Sequence, residues 1–222
     1  NFKIYKDSDR FILPLRTNSL HIQELKEKVF SNLKSLSSTK IQERFIALRE
    51  LMIILTATDT EELNEIVVCR IESRSSAARI VYISESKLVI KRAERQGQAK
   101  TPDTILSLES SSDEIILPLP LKVTNTLEKM LCSKQEATFA QLQNEYFAEQ
   151  VFENQKIDSK LKNSLISILA LEYSKELAAA TFDSNSIGNQ NSQYYFQASQ
   201  ELLIDKYVEV AKKVGFIFKK KP

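Results

Sequence analysis

The sequence predicts an α+β fold that is mainly helical and carries one small three-stranded antiparallel sheet. Three observations lead there. Apolar residues recur at helical spacing on both sides of the chain's middle, while the middle holds short β-branched runs. No helix-length segment separates those runs, which favours antiparallel pairing over a parallel α/β sheet. Only three Gly and five Pro occur in 222 residues, which suits long helices and argues against an all-β sandwich.

The chain opens with residues 1–17, whose short apolar stretch Phe11-Ile12-Leu13-Pro14-Leu15 reads as a linker or an edge strand. Ile22, Leu25, Val29, Leu33 and Leu36 then repeat at helical spacing and predict an amphipathic helix over 19–36, with His21 on its polar side. Ser37-Ser38-Thr39 supplies a break and an N-cap for a second helix. That helix buries Ile41, Phe45, Leu48, Leu51, Met52 and Leu55. Thr60-Glu61-Glu62 starts a third helix running through Leu63, Ile66 and Val67, its carboxylates well placed in the first turn.

The period then changes. Residues 79–83 and 87–91 are β-rich runs separated by Ser84-Glu85-Ser86, and Glu114-Ile115-Ile116-Leu117 forms the third strand, stopped by Pro118 and Pro120. The polar stretch 93–113 between them, with Gly97 and Pro102, is expected to be a mobile loop. Further helices are predicted at 123–132, 137–153, 157–180 and 197–215, the last with Leu203, Tyr207, Val210, Ala211 and Val214 in register. Residues 183–193 are a polar connection, and 216–222 form a tail with a basic end, a short strand or an extended arm.

Bulk properties narrow the class. Apolar content of 42% and charged content of 27% are ordinary for a globular protein. A net charge of +2 excludes a strongly polycationic chain but permits a local basic face. Cys69 and Cys132 both fall in apolar helical patterns, so buried thiols in a reducing compartment are expected. With one histidine and no paired-cysteine or HExxH motif, no metal site and no cofactor is expected. No apolar run approaches the ~18 residues of a membrane span. The start Asn1-Phe2-Lys3 is neither a signal peptide nor an initiator, so the chain is expected to begin inside a longer protein, after an upstream domain.

Four stretches together resemble one family. Thr56-Ala57-Thr58-Asp59-Thr60-Glu61-Glu62-Leu63 lies between two helices and is similar to a Thr-Gly-x-Arg-x-x-Glu-Leu pattern, with Asp59 in the arginine's place. Ile116-Leu117-Pro118-Leu119 is similar to an Ile-Pro-Leu run ending a third strand. Ser159-Lys160-Leu161-Lys162 follows a His-x-Leu-Arg pattern, with Ser159 at the histidine and Lys162 at the arginine. Counting on from there puts Asn185 at a second histidine position and Tyr194 or Tyr195 at a late tyrosine. Order, spacing and element type over residues 18–215 resemble the catalytic domain of tyrosine recombinases, the phage-integrase family that cuts and rejoins DNA through a phosphotyrosine bond.

The resemblance implies a specific chemistry. One of Tyr194 and Tyr195 is the nucleophile, although a phenol whose pKa lies near 10 is a poor one without positioning and proton removal. The family's two arginines offset the extra negative charge of the pentavalent phosphorane with planar, bidentate donors. A lysine or histidine protonates the departing sugar oxygen; the family's lysine lies near the turn between its second and third strands, where Lys91 is the candidate, with Lys87 and Lys100 competing. Here most of that set is replaced. Losing one anion-stabilising donor costs about 3–4 kcal/mol, and Asp59 reverses a charge as well. Lys162 keeps charge but not the fork, and Ser159 and Asn185 cannot exchange a proton near neutrality.

The resemblance therefore implies a double-stranded DNA-binding protein with lost or weak cleavage, in the cytoplasm or nucleoid, or the nucleus of a eukaryote. Lys87, Lys91, Arg92, Arg95, Lys160 and Lys162 are the candidate phosphate contacts. The family also implies that the segment after Tyr207 docks onto a neighbouring subunit of a homo-oligomer. Two other readings stay open. One is an active recombinase that recruits Arg49, Arg70 or Arg74 as replacement cations; the other is a helical interaction module in which Tyr194, Tyr195 and Lys162 are ordinary packing and surface residues.

Overall fold

The computed structural model describes residues 19–71, 75–91, 114–146, 155–182 and 200–219. Helix α1 (Ile22–Ser35) turns Leu25 and Val29 inward, and Leu36 just beyond it is also buried. Its start is held by Glu24, whose carboxylate accepts the His21 backbone N–H at 3.1 Å. Helix α2 (Ile41–Thr56) lies centrally: every side chain from Leu51 to Thr56 is buried, so the helix is enclosed all round over its last six residues. Ile41, expected inside, is exposed at the helix's first position. The N-cap position is Lys40 and not a residue of the Ser-Ser-Thr run; Ser38 instead accepts the Lys40 N–H at 3.2 Å and donates to Glu43 at 2.8 Å.

The third helix is shorter than expected. Helix α3 (Thr60–Asn64) ends before Ile66, and strand β1 (Val67–Cys69) takes up the β-branched residues that the helical spacing had claimed. The run Ile66-Val67-Val68 is buried throughout, and a short apolar run of this kind fits a buried strand as well as a helix.

The expected three strands are present as β2 (Arg79–Tyr82), β3 (Lys87–Lys91) and β4 (Glu114–Pro118), antiparallel as predicted. They are part of a larger sheet, however. With β1 and β5 (Glu136–Thr138) it has five strands in the order β4-β3-β2-β1-β5. It is mixed, because β1 runs parallel to β2 and antiparallel to β5. The reading of a purely antiparallel sheet fails at that junction. Residues 70–78 join β1 to β2, a connection shorter than the usual helical crossover, and the sequence carries no signal for it.

Pro120 is the N-cap residue of helix α4 (Leu121–Leu131). What reads as one helix from 137 begins as β5, followed by α5 (Phe139–Tyr146). The long helix read over 157–180 is two, α6 (Gln155–Glu172) and α7 (Lys175–Phe182), broken at Tyr173-Ser174, where the Ser174 hydroxyl accepts the Leu177 N–H at 3.1 Å. Helix α8 (Gln200–Lys213) buries Leu203, Tyr207, Val210 and Ala211 as its register predicts, and Val214 beyond it is also buried.

One apolar core runs from Leu25 to Phe216 and is walled by the helices and one face of the sheet. Phe45 of α2 meets Phe139 of α5 at 5.4 Å between ring centroids. Tyr207 is fully buried between Phe182 and Phe218, its ring centroids 6.0 and 6.1 Å from theirs. Burial pushes its phenol pKa well above the ordinary value. Phe216 and Phe218 of the tail pack into this core, while Ile217 between them is exposed. Gly215, at φ +106, lets the Phe216 N–H reach Ala211 O and its own N–H reach Lys212 O, the paired bonds of a Schellman helix stop.

The two thiols differ. Cys69 is buried, in a strand and not a helix, and burial pushes its pKa up to about 11. Cys132 is exposed, against expectation: α4 ends at Leu131 and Cys132 follows as its C-cap, at a positive φ of 51. No described helix is long and apolar enough to cross a membrane.

Candidate functional site

The turn between α2 and α3 holds the Thr56–Leu63 stretch, and its shape follows from its residues. The buried Thr56 hydroxyl donates to Met52 O at 2.7 Å and lies 2.7 Å from the Thr58 hydroxyl. Ala57 between them is left-handed, φ 52 and ψ 38, a conformation that favours glycine. The reversal delivers Asp59 as the N-cap of α3. Asp59 Oδ1 accepts the Glu62 N–H at 2.9 Å, and Glu62 Oε2 accepts the Asp59 N–H at 3.0 Å, a reciprocal capping box.

Helix α6 crosses this turn and presents Asp158 and Lys162, one helical turn apart on the same face. Lys162 Nζ donates to Glu62 Oε2 at 2.9 Å and to Asp59 Oδ2 at 3.1 Å. Asp158, almost fully buried, accepts from the Thr60 hydroxyl at 2.6 Å and from both terminal nitrogens of Arg49. Two networks therefore stitch α6 to α2 and the α3 start. Three carboxylates face two cations, leaving one negative charge in excess.

The electrostatics follow from these contacts. Burial pushes the Asp59 carboxyl up, but the Glu62 backbone N–H and the Lys162 ammonium outweigh it and hold its pKa below the ordinary value. Burial pulls the Lys162 ammonium down, yet its hydrogen bonds to Glu62 and Asp59 outweigh that and raise its pKa. The Asp59 side chain remains 47% exposed, so water screens this pair far more than the pair of Arg49 and Asp158.

The arrangement gives the expected site residues partners within the fold. Asp59 caps a helix and pairs with Lys162. Lys162 is neither a solvated charge nor an open anion ligand. Arg49, a conceivable substitute cation, is committed to Asp158 and Thr60. Arg70 is committed to the end of α4, where it pairs with Glu128 at 2.9 Å and donates to the carbonyls of Cys132 and Lys134.

Ser159 and Lys160 are exposed on α6. Lys91 donates to Ser75 O at 2.7 Å, and Lys87 pairs with Glu85 at 2.8 Å while lying over the Tyr82 ring. Both stand on β3, whereas Asp59 and Lys162 lie at the crossing of α6 and the α3 start. Tyr194, Tyr195, Asn185, Arg74, Arg92, Arg95 and Lys100 fall outside the described residues, as does the 93–113 stretch.

Sequence reasoning missed Arg49, Asp158 and Thr60 as one network. Asp59-x-x-Glu62 carries the signature of a capping box and could have been read so. The bond from Arg49 to Asp158 spans 109 positions and leaves no local signal. The chain matches no family model, and no curated protein or solved structure matches it significantly.

Proposed function

We propose that the chain is an integrase-like domain that binds duplex DNA and has lost strand cleavage. The observation that carries this reading is the contact between Asp59 and Lys162, 103 positions apart. These are the two positions that the resemblance assigns to the arginines flanking one phosphate, and they lie within 3.1 Å of each other. Support also comes from the left-handed Ala57 at the pattern's glycine. The loss of cleavage follows from charge: a phosphorane needs fixed cations, and this position has a negative excess.

DNA binding then rests on cations outside this position. Lys160 is exposed on α6, and the surface pair of Lys87 with Glu85 is weak enough to yield to a phosphate. Lys91 adds charge at the other end of β3.

A nicked suicide duplex tests both halves. The reading predicts a retarded band on a native gel at low salt and no protein–DNA adduct on a denaturing gel. An adduct that vanishes in Tyr194→Phe or Tyr195→Phe would instead establish an active recombinase. A helical interaction module is the reading that the acidic excess around Lys162 favours, and it predicts no retarded band at any salt.

A further inference from the structure

We propose that Asp59 and Glu62 act as an internal stand-in for phosphate oxygens, occupying Lys162 and closing this position to DNA. The inference rests on the integrase-like reading and assigns it a regulation. An ammonium has three donors, and Lys162 directs two of them at carboxylate oxygens at 2.9 and 3.1 Å, the arrangement an ammonium makes with a phosphate.

The carboxylates are not free to swing aside. The capping box fixes both, since each accepts a backbone N–H from the other's residue at the α3 start. A phosphodiester approaching Lys162 would meet two anchored negative charges. Of the neighbouring charged groups, Arg49 offers no compensation, because Asp158 and Thr60 hold it from α6 and α3. The carboxylates thus shield Lys162, which is set deeper than the exposed Lys160 of the same helix.

The test compares the wild type, the Asp59→Asn/Glu62→Gln variant, and that variant with Lys162→Met added. The probe is a fluorescent mixed-sequence duplex titrated over a range of salt. Asn still caps a helix and Gln still completes a capping box, so the double variant keeps the turn. Thermal unfolding monitors this, and Glu62→Gln alone serves as a milder variant with a smaller expected gain.

Release of Lys162 is expected to raise low-salt affinity on the order of tenfold and to steepen the log–log salt slope by roughly 1. Adding Lys162→Met should remove the gain. The inference is overturned if the wild type binds and the double variant binds no better, or if the gain survives Lys162→Met. Those results leave the DNA-binding reading intact. Binding by none of the three overturns both, and a Lys162-dependent gain over a non-binding wild type upholds the shielding while rejecting DNA binding by the native chain.

Discussion

Arg49 holds Asp158 through both terminal nitrogens of its guanidinium, and only 12% and 6% of the two side chains reach water. The pair joins α2 to α6 deep enough that removing one partner strands the other charge. Arg49→Met is expected to destabilise the fold by about 3–5 kcal/mol. Replacing both, as Arg49→Met/Asp158→Leu, should cost less than the single change, because no buried charge remains. Urea unfolding of the three proteins measures this, and equal costs for single and double changes would remove the pair's assigned role.

The bridge of Lys162 to Asp59 makes a signed pH prediction. Asp59 titrates below its unfolded value, so its contribution is present above about pH 4 and is lost as pH falls through the folded pKa. Lys162 titrates above its unfolded value, so its contribution is complete below about pH 10 and is lost as pH rises through the folded pKa. The urea midpoint of the wild type should exceed that of Asp59→Asn at pH 7, and the gap should close under acid. The gap to Lys162→Met should close under alkali. A gap independent of pH would detach both residues from the bridge.

The two thiols should separate in a labelling experiment. Cys132 is exposed and is expected to react with a small disulfide reagent at once. Cys69 is buried, with its pKa pushed up to about 11, and should react only when the fold opens. Counting modified thiols before and after denaturation gives one and then both; prompt modification of both would contradict the burial of β1.

Gly215 closes α8 at φ +106, and a Cβ there would meet Val29 Cγ1 at an ordinary 3.8 Å. The cost of Gly215→Ala is therefore one of backbone conformation, about 1–2 kcal/mol. Thermal unfolding reads it as a lower midpoint. An unchanged midpoint would mean that the chain leaves the helix by another route and that Phe216 does not depend on this turn for its place in the core.

The elements with a strong period were legible in the sequence. The registers of α1, α2 and α8 reappear in Leu25 and Val29, in Phe45 through Leu55, and in Leu203 through Ala211. Strands β2, β3 and β4 fall where β-branched runs lie between turns. Short segments were not legible. Val67-Val68-Cys69 suits helix and strand alike, and Glu136 and Ala137 favour helix but join Thr138 in a strand by pairing with β1. At the site, a motif comparison placed Asp59 and Lys162, but it could not show that a reversed charge would be answered by the lysine it was aligned beside. That contact depends on how α6 crosses the turn, which tertiary packing decides.

The most direct measurement is the affinity of the native chain for a mixed-sequence duplex as salt is raised. A phosphate-gripping domain predicts measurable binding at about 50 mM salt and a straight fall of log affinity with log salt, with a slope of about −0.9 per phosphate neutralised. No binding at that ionic strength, or an affinity indifferent to salt, would contradict the assignment of this fold to DNA.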